Sequence, residues 1–110
     1  MDYFKLKNLL IRHEGVVLKP YKDTAGKLTI GVGRNLDDVG LSQNEAYYLL
    51  SNDIARALVD LREIFASFDT FTENRQIALI DMIFNLGRGG FLAFRKMIDA
   101  IHRENWELAA

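Results

Sequence analysis

The segment 73–86, ENRQIALIDMIFNL, places Ile77, Leu79, Ile80, Met82, Ile83 and Phe84 around nearly every face of a helix. A helix that is apolar on all sides needs neighbours on all sides, so this stretch predicts a buried central helix. Thr72 is positioned to cap it. The candidate neighbours are helical too. Residues 43–66 carry Ala46, Leu49, Leu50, Ile54, Leu58, Leu61 and Phe65 at helical spacing. Ser42 followed by Glu45 is a capping-box pattern at their start. The length allows one connecting helix or two, broken near Ser51-Asn52. GRGG at 87–90 reads as a turn, 91–103 as an amphipathic helix, and Asn105 as the cap of one more. These segments are few for a helix apolar all round. The pattern therefore predicts a C-terminally incomplete helical lobe with an apolar patch of Ile83, Phe84, Phe91, Phe94, Ile98 and Trp106. Such a chain is expected to self-associate through that lobe or to be marginally stable.

The first third differs in character. Residues 3–13 read as a helix capped by Asp2, with Phe4, Leu6, Leu9, Leu10 and His13 near one face and Gly15 at its end. Tyr21, Leu28, Thr29, Ile30 and Val32 favour strand, and DTAG at 23–26 supplies a turn. Gly31 and Gly33 interrupt the second strand, which suggests a bulge or a close backbone approach. The reading is an α+β fold, mainly helical, in a single domain of residues 1–110. A small antiparallel β-hairpin lobe, or three-stranded ribbon, occupies 15–45. Segments 1–14 and 46–110 form the helical lobe.

Several function classes are excluded early. The chain has no cysteine, so disulfides and thiolate metal sites are ruled out. His13 and His102 lie too far apart in sequence to read as a metal-ligand pair, and no metal or other cofactor is expected. No apolar run approaches the roughly 18 residues of a membrane span, so stable membrane insertion is not expected. The N-terminal MDYFKLKNLLIRHEG mixes acids and bases into its apolar pattern and does not read as a signal peptide. Charge is uneven. Residues 1–34 hold seven Lys or Arg against three acids, and residues 35–110 hold seven against twelve. A basic front could hold an anionic polymer, such as a cell wall or a nucleic acid, or could simply be a solvated surface. The chain lacks a basic helix or an aromatic-basic stripe, so nucleic acid is not expected as a partner.

Three residues of the front segment could carry chemistry. Glu14 closes the first helix, where the helix dipole disfavours an acid by about 0.3–1 kcal/mol. That field opposes the charged carboxylate and suits a group that must hold its proton. Asp23 opens the hairpin turn nine residues later, and Thr29 follows in the second strand. Each also has an ordinary explanation: a tolerated surface glutamate, a turn-forming aspartate, a strand-favouring threonine. Together they match what hydrolysis of a glycosidic bond needs. Two carboxyls from different elements can face one another across a cleft, one to protonate the leaving oxygen and one to work on the opposite side of the sugar.

The stretch HEGVVLKPYKDTAGKLTIGVGRNL, residues 13–36, resembles the catalytic segment of phage-type lysozymes, also called endolysins or muramidases. Their pattern is Glu, eight residues, Asp, five residues, Thr, then Ile-Gly-x-Gly. Glu14, Asp23, Thr29 and Ile30-Gly31-Val32-Gly33 match it. The similarity continues through ENRQIALIDMIFNLGRGGFLAFRKMIDAIHRENWELAA. The resemblance implies a lysozyme-like fold and inverting hydrolysis of the β-1,4 bond between N-acetylmuramic acid and N-acetylglucosamine in bacterial peptidoglycan. It implies Glu14 as general acid, Asp23 as base or charge-stabilising carboxylate and Thr29 as a holder of the water. Gly33 and Asn85 become substrate contacts, although Asn85 also fits a helix-capping role. It further implies synthesis in the bacterial host cytoplasm and action on the wall after release. Two departures stand out. Arg34 occupies a position where many members carry His, and the family's pattern continues beyond Ala110 with a Trp-rich, Gln-Thr-Pro-containing segment. The alternative reading is a truncated, non-catalytic relic or wall-binding module.

Overall fold

Asp2 starts the first helix as the sequence predicts, its carboxylate accepting from the Lys5 N–H at 3.0 Å. The computed structural model describes residues 1–109. Helix α1 spans Tyr3–Glu14 and stops at Gly15, whose N–H returns to the Ile11 carbonyl at 2.8 Å. Strands β1 (Val17–Lys22), β2 (Leu28–Gly31) and β3 (Arg34–Asn35) follow as an antiparallel meander in the order β1-β2-β3. Between the Val17–Gly31 and Tyr21–Thr29 pairs, three residues of β1 face the single Ile30 of β2. This bulge contains Pro20, which has no N–H to give to a ladder. The sequence pattern suggested a bulge or a close backbone approach at Gly31 and Gly33, and the bulge falls on β1. Those glycines instead make the tight connection from β2 to β3, closed by the Ile30–Arg34 pair.

The capping box forms in full: Glu45 N–H donates to Ser42 Oγ at 3.1 Å and Ser42 N–H to Glu45 Oε1 at 2.9 Å. Helix α2 then runs unbroken over Gln43–Ile64. It passes Ser51 because that hydroxyl donates back to the Tyr47 carbonyl at 3.2 Å, satisfying itself inside the helix. A single 3-10 turn at Phe68–Thr70 leads to Thr72, which caps α3 (Glu73–Leu92) by accepting from Arg75 N–H. The expected GRGG turn is smaller than the sequence suggested. Only Gly87 leaves helical geometry, at φ 73° and ψ 171°, a conformation few side-chain-bearing residues adopt. Helical structure resumes to Leu92, so the next helix, α4 (Arg95–His102), starts four residues later than the pattern placed it. Asn105 caps α5 (Trp106–Ala109), accepting from Leu108 N–H at 3.1 Å.

Packing divides the chain into two compact units, Met1–Ala46 and Tyr47–Ala110. Helix α1 thus falls in the unit that holds the sheet, whereas the sequence pattern assigned 1–14 to the helical lobe. In the second unit Leu61, Phe65, Phe68 and Phe91 are sealed from solvent, with Leu79, Ile83, Ile98 and Ile101 around them. The rings meet at angles that suit their quadrupoles: Phe65 lies 5.8 Å from Phe71, 6.2 Å from Phe91 and 5.2 Å from His102. His102 Nε2 donates to the Ile64 carbonyl at 2.8 Å. Arg88 ties α3 to α2 through Asp60 at 2.9 Å and Glu63 at 2.6 Å. Those hydrogen bonds, Asp60 first, hold its guanidinium charge even more firmly than usual.

Two expectations need correction here. Helix 73–86 is not buried all round: Leu79 and Ile83 are in the core, whereas Ile77 and Phe84 are exposed. The patch drawn from the sequence is not one surface either. Ile83, Phe91 and Ile98 are core residues, Phe84 and Phe94 are exposed, and Trp106 is half-buried against Phe71 with Arg75 over its ring at 4.2 Å. The apolar positions were read correctly, but not which of them face inward, and beyond Gly87 the break also turns the segment that follows.

Candidate active site

Residues proposed from the first third of the sequence all lie within the first unit, on α1, the β1–β2 turn, β2 and the β2–β3 connection. The turn is built around one carboxylate oxygen. Asp23 Oδ1 accepts from Ala25 N–H at 2.9 Å and from Lys27 N–H at 2.8 Å. The Asp23 N–H bonds the Lys27 carbonyl at 2.9 Å, and the Gly26 N–H bonds the Asp23 carbonyl at the same distance. Asp23 is thereby fixed as a turn residue, as aspartate often is. Its Oδ2 carries none of these bonds.

Thr29 is tied to the same place. It is 3% exposed, and its Oγ1 donates to the Lys27 carbonyl at 2.8 Å. The Lys27 residue therefore holds Asp23 through its N–H and Thr29 through its carbonyl. Because the hydroxyl proton is spent on Lys27, the Thr29 oxygen offers only lone pairs to anything else.

Glu14, at the exposed end of α1, is met by Gly33. A methyl group at Gly33 would lie 3.1 Å from Glu14 Oε2, 3.4 Å from Cδ and 3.5 Å from Cγ. The close backbone approach expected at this glycine is real, and Gly33 also has φ 65°, a second reason for glycine there. A side chain at this position would therefore crowd the Glu14 carboxyl.

Asn85 lies in the second unit, exposed on α3. Its amide donates to the Asp81 carbonyl at 2.9 Å and to Asp81 Oδ1 at 3.3 Å. That is the helix-satisfying role weighed for it, and it commits the nitrogen but not Oδ1.

One part of the site escaped the sequence reading. Arg34 was noted as a departure and Glu45 as half of a capping box, but the two form a bidentate pair. Arg34 Nη1 donates to Glu45 Oε1 at 2.7 Å, and Nη2 lies 2.7 Å from Oε2. Nη1 also reaches the Gly40 carbonyl at 3.1 Å. Hydrogen bonds from Arg34 first, and then from Ser42, pull the Glu45 carboxyl down to about 2. The same pairing raises Arg34 above its usual range. Opposite charges flanking the Gly40 turn were the available signal. Asp37 and Asp38 complete the frame: Asp37 accepts from Leu28 N–H at 2.7 Å, and Asp38 from Lys27 Nζ at 3.2 Å and Asn35 Nδ2 at 3.0 Å.

Among the described residues no group of three or more His, Asp or Glu could hold a metal ion, and no single helix is long and apolar enough to cross a membrane. A sequence model of the family described as phage lysozyme matches residues 11–110. The chain belongs to the phage lysozyme family. As a lysozyme it is a hydrolase whose substrate class is peptidoglycan. It is 27% identical to a probable T4-type lysozyme 2 of Dictyostelium discoideum, over 96% of this chain and 79% of that one. It is 33% identical to an endolysin of Acyrthosiphon pisum secondary endosymbiont phage 1, over 76% of this chain and 58% of that one. A pre-baseplate central spike protein of Enterobacteria phage T4 is 27% identical over 94% of this chain, which spans 23% of that protein. The lysozyme described here thus spans less than two thirds of the last two relatives.

Proposed function

We propose that this lysozyme hydrolyses the β-1,4 bond between N-acetylmuramic acid and N-acetylglucosamine by inverting acid/base catalysis. Glu14 gives its proton to the glycosidic oxygen as the bond from that oxygen to the sugar carbon breaks. Asp23 takes a proton from a water that attacks the same carbon from the opposite face. Thr29, with its own proton committed to Lys27, accepts the water's other hydrogen and so orients its lone pair toward the sugar. The new hydroxyl is inverted, Glu14 is left ionised and Asp23 protonated. Exchange with solvent restores both. The observation that carries this reading is the shared anchoring of Asp23 and Thr29 on Lys27, in the same unit as a Glu14 carboxyl that comes close to Gly33. Asn85 Oδ1 is proposed as an acceptor toward the glycan.

The test is turbidity loss of a bacterial wall suspension. Glu14→Gln keeps the shape but has no proton to give, so lysis should fall by about 10²–10⁴-fold with the circular dichroism unchanged. A Gln variant as active as the parent would refute the acid assignment. A parent that leaves walls intact would favour the non-catalytic reading. The product anomer, read by NMR early in the reaction, should be inverted. A retained anomer would make Asp23 a nucleophile instead.

A further inference from the structure

Glu14 is long, flexible and exposed, yet a general acid must hold its oxygen roughly 2.6–3.2 Å from the atom it protonates. The neighbour that crowds it is Gly33, where an added methyl group would come within 3.1–3.5 Å of Oε2, Cδ and Cγ. Gly33 sits in the short β2–β3 connection, and the residue that ends this connection is Arg34, paired with Ile30 across the strands. Arg34 is in turn held by three contacts at the far side of the next turn, two to Glu45 and one to the Gly40 carbonyl. The anchor is therefore sequential: Glu45 on α2 fixes Arg34, Arg34 fixes the end of the connection, and Gly33 walls Glu14.

We infer that Arg34, clamped by Glu45 and the Gly40 carbonyl, is a positioning residue for the Glu14 carboxyl, acting through Gly33. The inference rests on Glu14 being the acid of the proposed reaction. Arg34 touches no reacting atom in this scheme. The planar guanidinium suits the role because its two parallel bonds to one carboxylate fix direction as well as distance, which a single-point cation does not. The simpler account is that the pair merely ties β3 to the start of α2. The two accounts differ in what they do to Glu14.

The experiment compares the parent with Arg34→Gln and Arg34→Lys on soluble peptidoglycan fragments, at a temperature where each is folded. A misplacement of about 1 Å can cost 10²-fold, and a loosened wall less, so kcat should fall about tenfold in Arg34→Gln. KM should change less than kcat, because Arg34 itself lines no binding surface and acts only through Gly33. Arg34→Lys should recover part of the loss. A nuclear Overhauser contact between the Glu14 γ protons and the Gly33 α protons should weaken in step with kcat. An unchanged contact overturns the inference, and so does a weakened contact with unchanged kcat in an active parent. If Arg34→Gln does not fold, Arg34→Lys carries the same comparison. If the parent has no activity, the proposed function fails, and the Overhauser contact alone decides whether Arg34 sets the position of Glu14.

Discussion

Among the described residues, the helical unit buries ten apolar side chains, whereas the buried residue of the sheet unit is a threonine. The first rests on interlocked rings around Phe65 and Phe91. The second rests on directed polar contacts: Asp23 folds its own turn, Asp37 holds Leu28, and Arg34 joins Glu45. Apolar burial is non-directional and contributes most of a domain's stability. Hydrogen bonds contribute less net energy but fix orientation. Asp23 and Thr29 are held by such directed bonds, in the unit that also carries Glu14.

Four substitutions sharpen or break this contrast. The largest effect on stability should come from Phe65→Ala, which removes a sealed ring and its three aromatic neighbours' contacts. It should destabilise by about 3–5 kcal/mol, read in a urea titration by Trp106 fluorescence. Truncating half-buried Ile30 in the sheet unit should cost only about 1 kcal/mol. Equal costs at the two positions would erase the distinction.

Next comes Gly33→Ala, which must adopt φ 65° and crowd Glu14 at 3.1 Å. Strain of about 1–3 kcal/mol is expected, with a larger fractional loss of lysis than of folded protein. If lysis falls only as far as the folded fraction does, the glycine serves the backbone and not the acid.

The smallest effect belongs to Glu45→Gln and depends on pH. The folded state holds the Glu45 carboxyl at about 2, below its ordinary range. A depressed folded value means that the carboxylate stabilises the fold fully above its unfolded value, near 4.3. That contribution declines as pH falls and is gone below about 2. The parent should therefore melt higher than Glu45→Gln at pH 6, with the gap closing toward pH 2. A gap that widens on acidification would contradict the assignment of Arg34 as its partner.

Legibility in the sequence followed the range of the interactions. The caps at Asp2, Ser42, Thr72 and Asn105 involve residues three apart or fewer, and each formed as expected. The Glu14, Asp23 and Thr29 candidates were visible because the family pattern fixes their spacing. The Gly33 approach was visible as a glycine where a strand would prefer a side chain. What spacing hides is which face turns inward after a break. Gly87 reorients the chain by its backbone angles alone, so the core roles of Phe91 and Ile98 could not be assigned from periodicity. The Arg34–Glu45 pair was hidden for a related reason, since its members stand eleven positions apart in sequence, on different elements. The bulge in β1 was hidden because it depends on the register against Ile30, which residue spacing does not reveal.

That bulge also bears on how copies of the chain behave in a crowded solution. β1 is an outer strand of the sheet, and its Val17 and Leu18 are exposed. A straight apolar outer strand is a template on which another chain can extend a sheet and begin an aggregate. Here the template is spoiled in three ways along six residues: Pro20 withholds a donor, the three-against-one mismatch bends the ladder, and Lys19 and Lys22 bring like charges to any copy that approaches in register. The opposite outer strand, β3, is two residues long and too short to seed anything. The polar unit, which has little core to protect it when it opens, is thus guarded at its edges against joining its neighbours by strand addition.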